Sequence, residues 1–299
     1  MAFIKNLRPA AEGSGFRMGG YFVWCGSPVR GGDGCYYLFA SRWPVETGFP
    51  EGYMTHSEIV LSATDDLDKP FVYVKTVIGG RGGNHWDAGM AHNPYIVKAG
   101  GQYVLFYIGT IDGDWQRRQI GYATCASIDG EFKRCERPLD LPKNANNPAV
   151  YVEEDESCLL IFRDGNLKMS AARADRFDGK YNILNPDVSP DHRLEDPFVF
   201  KRNGRYEMLV EDADAGWTGR KTFGAHLVSD DGIYWRANDP VLGYTHTIPL
   251  TNGGYIQADR RERPALLIEG GRIIALFTAV QAGNAAWNCV QPCEDGAYQ

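Results

Sequence analysis

The sequence has no run of apolar residues long enough to span a membrane. Its first sixteen residues, with Lys5, Arg8 and Glu12, hold no apolar stretch of a secretory leader. As given, the chain is expected in the cytoplasm; removal of a leader would make it secreted or periplasmic. It lacks a block of lysine and arginine: 31 basic residues face 38 acidic ones, a formal charge of −7. That balance speaks against nucleic acid as a partner and fits a neutral one. Cysteine is sparse and odd in number, seven in 299 residues, which excludes a disulfide scaffold and reads as reduced thiols. Cys289 and Cys293 lie close together, but no second pair completes a zinc site, so no metal ligands are assigned. The glycines from Gly13 to Gly20 sit in no strand–turn–helix context, and no nucleophile-elbow or phosphate-cradling motif occurs. Long apolar helical stripes are missing too.

What is present is turn chemistry and core. There are 35 glycines and 16 prolines, and 43% of the chain is hydrophobic. This favours an all-β class. A repeat runs through it: X-Pro, an apolar strand, a Gly- or acid-containing turn, then a second apolar strand. The copies are Ser27-Pro28-Val29 to Tyr36-Tyr37-Leu38-Phe39, Asn93-Pro94-Tyr95 to Tyr103-Val104-Leu105-Phe106, and Asn147-Pro148-Ala149 to Leu159-Leu160-Ile161-Phe162. Asp196-Pro197-Phe198 to Tyr206-Glu207-Met208-Leu209 and Arg263-Pro264-Ala265 to Ile273-Ile274-Ala275-Leu276 complete the set. Each is a hairpin, and the prolines are expected at the first residue of a strand, where a missing N–H is tolerated. Third strands follow at Ser57–Leu61, Ile120–Thr124, Lys168–Ala172 and Phe223–Leu227, with aromatic fourth strands after acidic turns. Four-stranded antiparallel units at this spacing are propeller blades. The prediction is a single five-bladed β-propeller over residues 1–299, with blade first strands near 28, 94, 148, 197 and 264.

In a propeller the first strand of each blade lines the channel, so its starting residues meet at one mouth. The polar residues that this brings together are Ser27, His92, Asn93, Asn146, Asn147, Glu195, Asp196, Glu262 and Arg263, with Trp86 and Asp87 just upstream of the second copy. Clustered carboxyl groups in an aqueous pocket are what glycosidic cleavage needs: one protonates the leaving oxygen, another activates water or attacks. Aromatic rings suit the apolar faces of sugars. His226 is a further candidate to point into the channel.

These motifs resemble the five-bladed glycoside hydrolases around family 43, with families 32 and 117 as relatives. The resemblance rests on Glu195-Asp196-Pro197 with Gly204-x-Tyr206, Ser229-Asp230-Asp231-Gly232-x-x-Trp235, Arg261-Glu262-Arg263-Pro264 and Tyr36-Tyr37-Leu38-Phe39-Ala40-Ser41. It implies an exo-acting, inverting glycosidase that removes a terminal arabinofuranosyl, galactosyl or xylosyl unit from an oligo- or polysaccharide. It implies Glu262 as general acid and Asp196 as the residue that tunes it. The base belongs beside Pro94, where Asn93 stands instead of Asp; Asp87 is then the candidate base, and His92 the next. His92, Asn93, Asn147, Glu195, Arg263, Trp86 and His226 are expected to bind substrate. No cofactor is required, although relatives often hold calcium in the channel. The alternatives are a glycoside phosphorylase, for which the arginines around Glu262 would bind phosphate, and a carbohydrate-binding propeller without catalysis. Oligomeric state is not addressed by the sequence.

Overall fold

The computed structural model describes residues 3–294, so the ends of the expected 1–299 domain lie outside the described residues. Four four-stranded antiparallel sheets follow one another along the chain. Blade 1 is β1 (Tyr21–Arg30), β2 (Tyr36–Pro44), β3 (Glu58–Thr64) and β4 (Val72–Ile78). Blade 2 is β5 (Met90–Ala99), β6 (Gln102–Thr110), β7 (Gln119–Cys125) and β8 (Lys133–Arg134). Blade 3 is β9 (Asn146–Val152), β10 (Cys158–Arg163), β11 (Met169–Ala174) and β12 (Asn182–Asn185). Blade 4 is β13 (Leu194–Arg202), β14 (Arg205–Asp212), β15 (Phe223–Ser229) and β16 (Arg236–Tyr244). A small hairpin, β17 (Thr247–Pro249) and β18 (Tyr255–Gln257), leads into blade 5, which is β19 (Arg260–Glu269), β20 (Arg272–Ala282) and β21 (Ala285–Pro292). The result is a five-bladed β-propeller. The outer edge of β21 is met by the N-terminal segment: Phe16 and Asn288 exchange backbone hydrogen bonds, and Leu7 bridges Cys293. Residues 7–16 thus close the ring on its last strand.

Second strands are sandwiched between neighbouring blades, which explains why they read as unbroken apolar runs; Leu159, Leu160, Ile161 and Phe162 are all fully buried. The outermost strands face solvent, and Val72 and Val74 of β4 are exposed. The Ser229–Trp235 motif fixes the β15–β16 turn. Asp231 Oδ1 accepts from the backbone N–H of Ile233 and Tyr234, and Trp235 Nε1 donates to Gly232 O.

The prolines are not at strand starts. Each lies inside its strand, and all but Pro28 sit in a β-bulge where two residues oppose one. Asn93-Pro94 faces Tyr107, Asn147-Pro148 faces Phe162, Asp196-Pro197 faces Val210, and Arg263-Pro264 faces Thr278. A bulge leaves its extra residue outside the ladder, so the missing N–H costs no hydrogen bond. The residue before each proline adopts a left-handed backbone, with φ 53° at Asn93, 53° at Asn147, 57° at Asp196 and 56° at Arg263. The proline ring disfavours the right-handed helical region for that residue, and Asn and Asp tolerate the left-handed one best. In blade 1 the same bulge is formed by Cys25-Gly26 opposite Ala40, with φ 53° at Cys25. Ser27-Pro28 matches the repeat by letter but lies two residues out of phase. Ser27 therefore sits deeper, where its hydroxyl accepts from Ile96 N and ties blade 1 to blade 2.

Candidate active site

The five bulges bring one side chain per blade together at the hub. Cys25 Sγ donates to Asn93 Oδ1 (2.9 Å), Asn93 Nδ2 to Asn147 Oδ1 (3.0 Å), and Asn147 Nδ2 to Asp196 Oδ1 (2.6 Å). Arg263 Nη1 closes on the same oxygen from the other side at 2.7 Å. Burial pushes the Cys25 thiol up to about 12, so it keeps the proton that it donates. The belt is thus a one-way relay of donors ending on a carboxylate. Asn93 is explained by it: its oxygen accepts from the thiol and its nitrogen serves Asn147, a pair of tasks that a carboxylate cannot perform. Next to the belt lies a cavity of about 40 Å³ lined by these residues and those that follow them.

One residue nearer the mouth stand Trp24, His92, Asn146, Glu195 and Glu262, paired across the ladder with Ser41, Ile108, Arg163, Glu211 and Ala279. This register brings in Glu211 and Arg163, neither of which the sequence pattern singled out. Glu211 can be found from sequence only once the bulge at Asp196-Pro197 is known, because the bulge decides which β14 residue faces Glu195. Asp196, Glu211 and Glu262, all buried, present carboxylate oxygens within 4.8 Å of one another. Burial raises Asp196 to about 7, against the pull of the Arg263 guanidinium. Burial, and then the charges of Glu262, Asp196 and Glu195, hold Glu211 well above the ordinary carboxyl range, which favours its protonated form. Glu262 accepts from Arg260 Nε at 2.6 Å, and Glu195, half-buried, pairs with Arg163. Asp196 Oδ2 is buried without a hydrogen-bond partner.

His92 is buried against the belt. Its Nδ1 lies 2.8 Å from Ser57 Oγ and its ring stacks on Tyr53 at 4.5 Å. Burial, with Arg263 and Arg118 nearby, holds its pKa well below the usual range, so the ring is neutral. The structure does not bring Asp87 to the carboxylate cluster. Asp87 is fully buried in blade 2, where Arg81 (3.0 Å), Arg134 (3.2 Å) and the Tyr107 hydroxyl (2.7 Å) hold both its oxygens. Trp86 packs its ring on Tyr107, and Gly121 leaves room for it. His226 is also away from the hub, on the third strand of blade 4, with Nε2 2.7 Å from Glu207 and Nδ1 near Asn238. A calcium ion would find its carboxylates in the Asp196–Glu211–Glu262 cluster, but these residues do not fit it. Two of them already have guanidinium partners, whereas calcium takes six to eight oxygen ligands from a net anionic cage.

Solved structures share this fold. The structure of BT0996 in an RGII complex superposes with a TM-score of 0.72 at 12% identity, covering 99% of this chain and 95% of that one. The GH43_1 enzyme from Xanthomonas citri gives 0.66 at 13% identity over 99% and 93%. The endo-arabinase from Bacteroides thetaiotaomicron gives 0.65 at 12% identity over 96% and 99%. At these identities the likeness is one of fold. No protein-family model and no curated protein matches the sequence.

Proposed function

We propose that this protein is a glycoside hydrolase, with Glu262 as its general acid. The observation that carries the reading is the trio of buried carboxyl groups at the hub of a propeller built like solved glycoside hydrolases. Protonation of a leaving glycosidic oxygen needs a carboxyl that keeps its proton near neutral pH. Glu262, buried beside Asp196 and Glu211 with carboxylate oxygens within 4.8 Å of theirs, stands where the sequence resemblance puts that acid. Glu195, partly open to solvent beside the trio, is the carboxylate left to take a proton from attacking water. Removal of a terminal arabinofuranosyl, galactosyl or xylosyl unit with inversion is the form that the sequence resemblance implies. The first-formed anomer, followed by NMR, tests the inversion.

Glu262→Gln tests the acid. Turnover of alkyl glycosides is expected to fall by roughly 10²–10⁴-fold, while activated aryl glycosides, whose leaving groups need no proton, lose far less. Equal losses on both would remove Glu262 from the acid role. Saccharide binding without turnover across a broad glycoside panel would leave a non-catalytic carbohydrate-binding propeller.

A second reading, a glycoside phosphorylase, is favoured by one feature: an amide wired into the belt where a base would stand. Phosphate is already anionic and needs no base, and Arg163, Arg260 and Arg263 surround the mouth. Turnover that requires inorganic phosphate and releases a sugar 1-phosphate would establish it.

A further inference from the structure

A second cavity opens beside the mouth, between blades 2 and 3, with a volume of about 610 Å³, in the range of ligand pockets. It is lined by Asn84, Trp86, Gln116, Arg118 and Lys143, among others. Arg118 is its centre. The residue is 7% exposed, yet its contacts are neutral: Nε donates to Trp115 O and Asn144 Oδ1, and Nη1 to the Tyr53 hydroxyl. No carboxylate pairs with it among the described residues. Burying a cation without a paired counter-charge is costly, and here Arg163 and Arg263 add like charge that Glu195, acting more weakly, does not offset. Arg163, Arg260 and Arg263 each have an acid partner; Arg118 does not. Lys143, exposed at the cavity edge, has no ion-pair partner among the described residues either. The Asp114 carboxylate is turned to its own backbone, accepting from Gln116 N at 2.9 Å, and Arg117 is engaged by Asp112.

Two features make the cavity suited to a sugar. Trp86 Nε1 is buried there without a hydrogen-bond partner. Trp115, in the segment that forms the wall, is half exposed and offers a ring face beside the Arg118 guanidinium. Arg118 also links this cavity to the hub, because Tyr53, which it touches, stacks on His92.

We infer that this cavity is a subsite for a uronate unit of the saccharide, whose carboxylate supplies the counter-charge that Arg118 and Lys143 lack. The inference rests on the carbohydrate reading of the hub and deepens it. A planar guanidinium matches a carboxylate with two parallel hydrogen bonds. The amides of Asn84 and Gln116 suit hydroxyl groups.

The test is binding by calorimetry to Glu262→Gln protein, in which the saccharide stays intact, so that the result does not depend on turnover. The probes are a galacturonate tetrasaccharide and its methyl ester, which keeps the sugar and removes the charge. The acid is expected to bind at least tenfold more tightly than the ester. Adding Arg118→Gln should bring that ratio close to one, and adding Lys143→Gln, an exposed position that leaves folding intact, should reduce it several-fold. Equal affinity for acid and ester, or a ratio that neither substitution changes, would overturn the inference. So would displacement of the tetrasaccharide by inorganic phosphate at comparable concentration, which would assign the arginine to phosphate. Hydrolysis that fails while the charge-dependent binding persists would sink the enzymatic reading and leave the subsite standing.

Discussion

Asn147 accepts from Asn93 and donates to Asp196, so its amide is used at both ends. Asn147→Ala leaves a buried amide and a buried carboxylate short of a partner each, and should cost roughly 2–4 kcal/mol, read from the urea midpoint. Glu211 makes stability depend on pH. Its carboxyl is raised in the folded protein above its ordinary value of 4.5, so from about that pH upward the folded state binds more protons than the unfolded one. Stability from this group is full at low pH and lost as pH rises. Glu211→Gln, which fixes the uncharged form, should become more stable relative to the parent with each step from pH 5 to 8; a constant difference across that range would refute a protonated Glu211. At this scale the sequence was partly legible. Asp196 and Glu262 could be placed because they flank prolines of the repeat. Glu211 and Arg118 could not, because a cross-strand register and a loop approach bring them in. Asp87 misled because closeness to Asn93 in the chain says nothing about the direction in which a loop turns its carboxylate.

Among elements, the hairpin of each blade was readable from its apolar runs and turn residues, since both are local. The bulge was not. Its letters, X-Pro, were seen, but a strand start and a bulge excuse a proline's missing N–H equally well, and Gly26 takes the proline's place in blade 1. The N-terminal segment had no pattern to announce it as an edge strand, because isolated bridges need no alternation. Gly15 is where that segment is most constrained: φ is +83°, and an added Cβ would collide with the carbonyl oxygen of Asn288. Gly15→Ala therefore should force the edge away from β21 and lower stability by roughly 2–4 kcal/mol, combining left-handed strain with overpacking, as measured by chemical denaturation.

For the whole molecule, the ring is held shut by residues that belong to its two chain ends. Arg17 lies 3.5 Å over the Trp287 ring, and Ala10 packs in the same small cluster as Trp287 and Cys289. A chain beginning at Arg17 should melt several degrees lower, and hydrogen exchange at Asn288 and Cys293, whose N–H groups are bonded to Phe16 and Ile274, should show whether the loss is confined to blade 5. The belt from Cys25 to Arg263 spans the hub with side chains joined by hydrogen bonds and an ion pair, which gives the torus a floor. On the glycosidase proposal, a saccharide would arrive and its fragments depart through one door, polymer would not thread from face to face, and each cut would require the chain end to back out and enter anew.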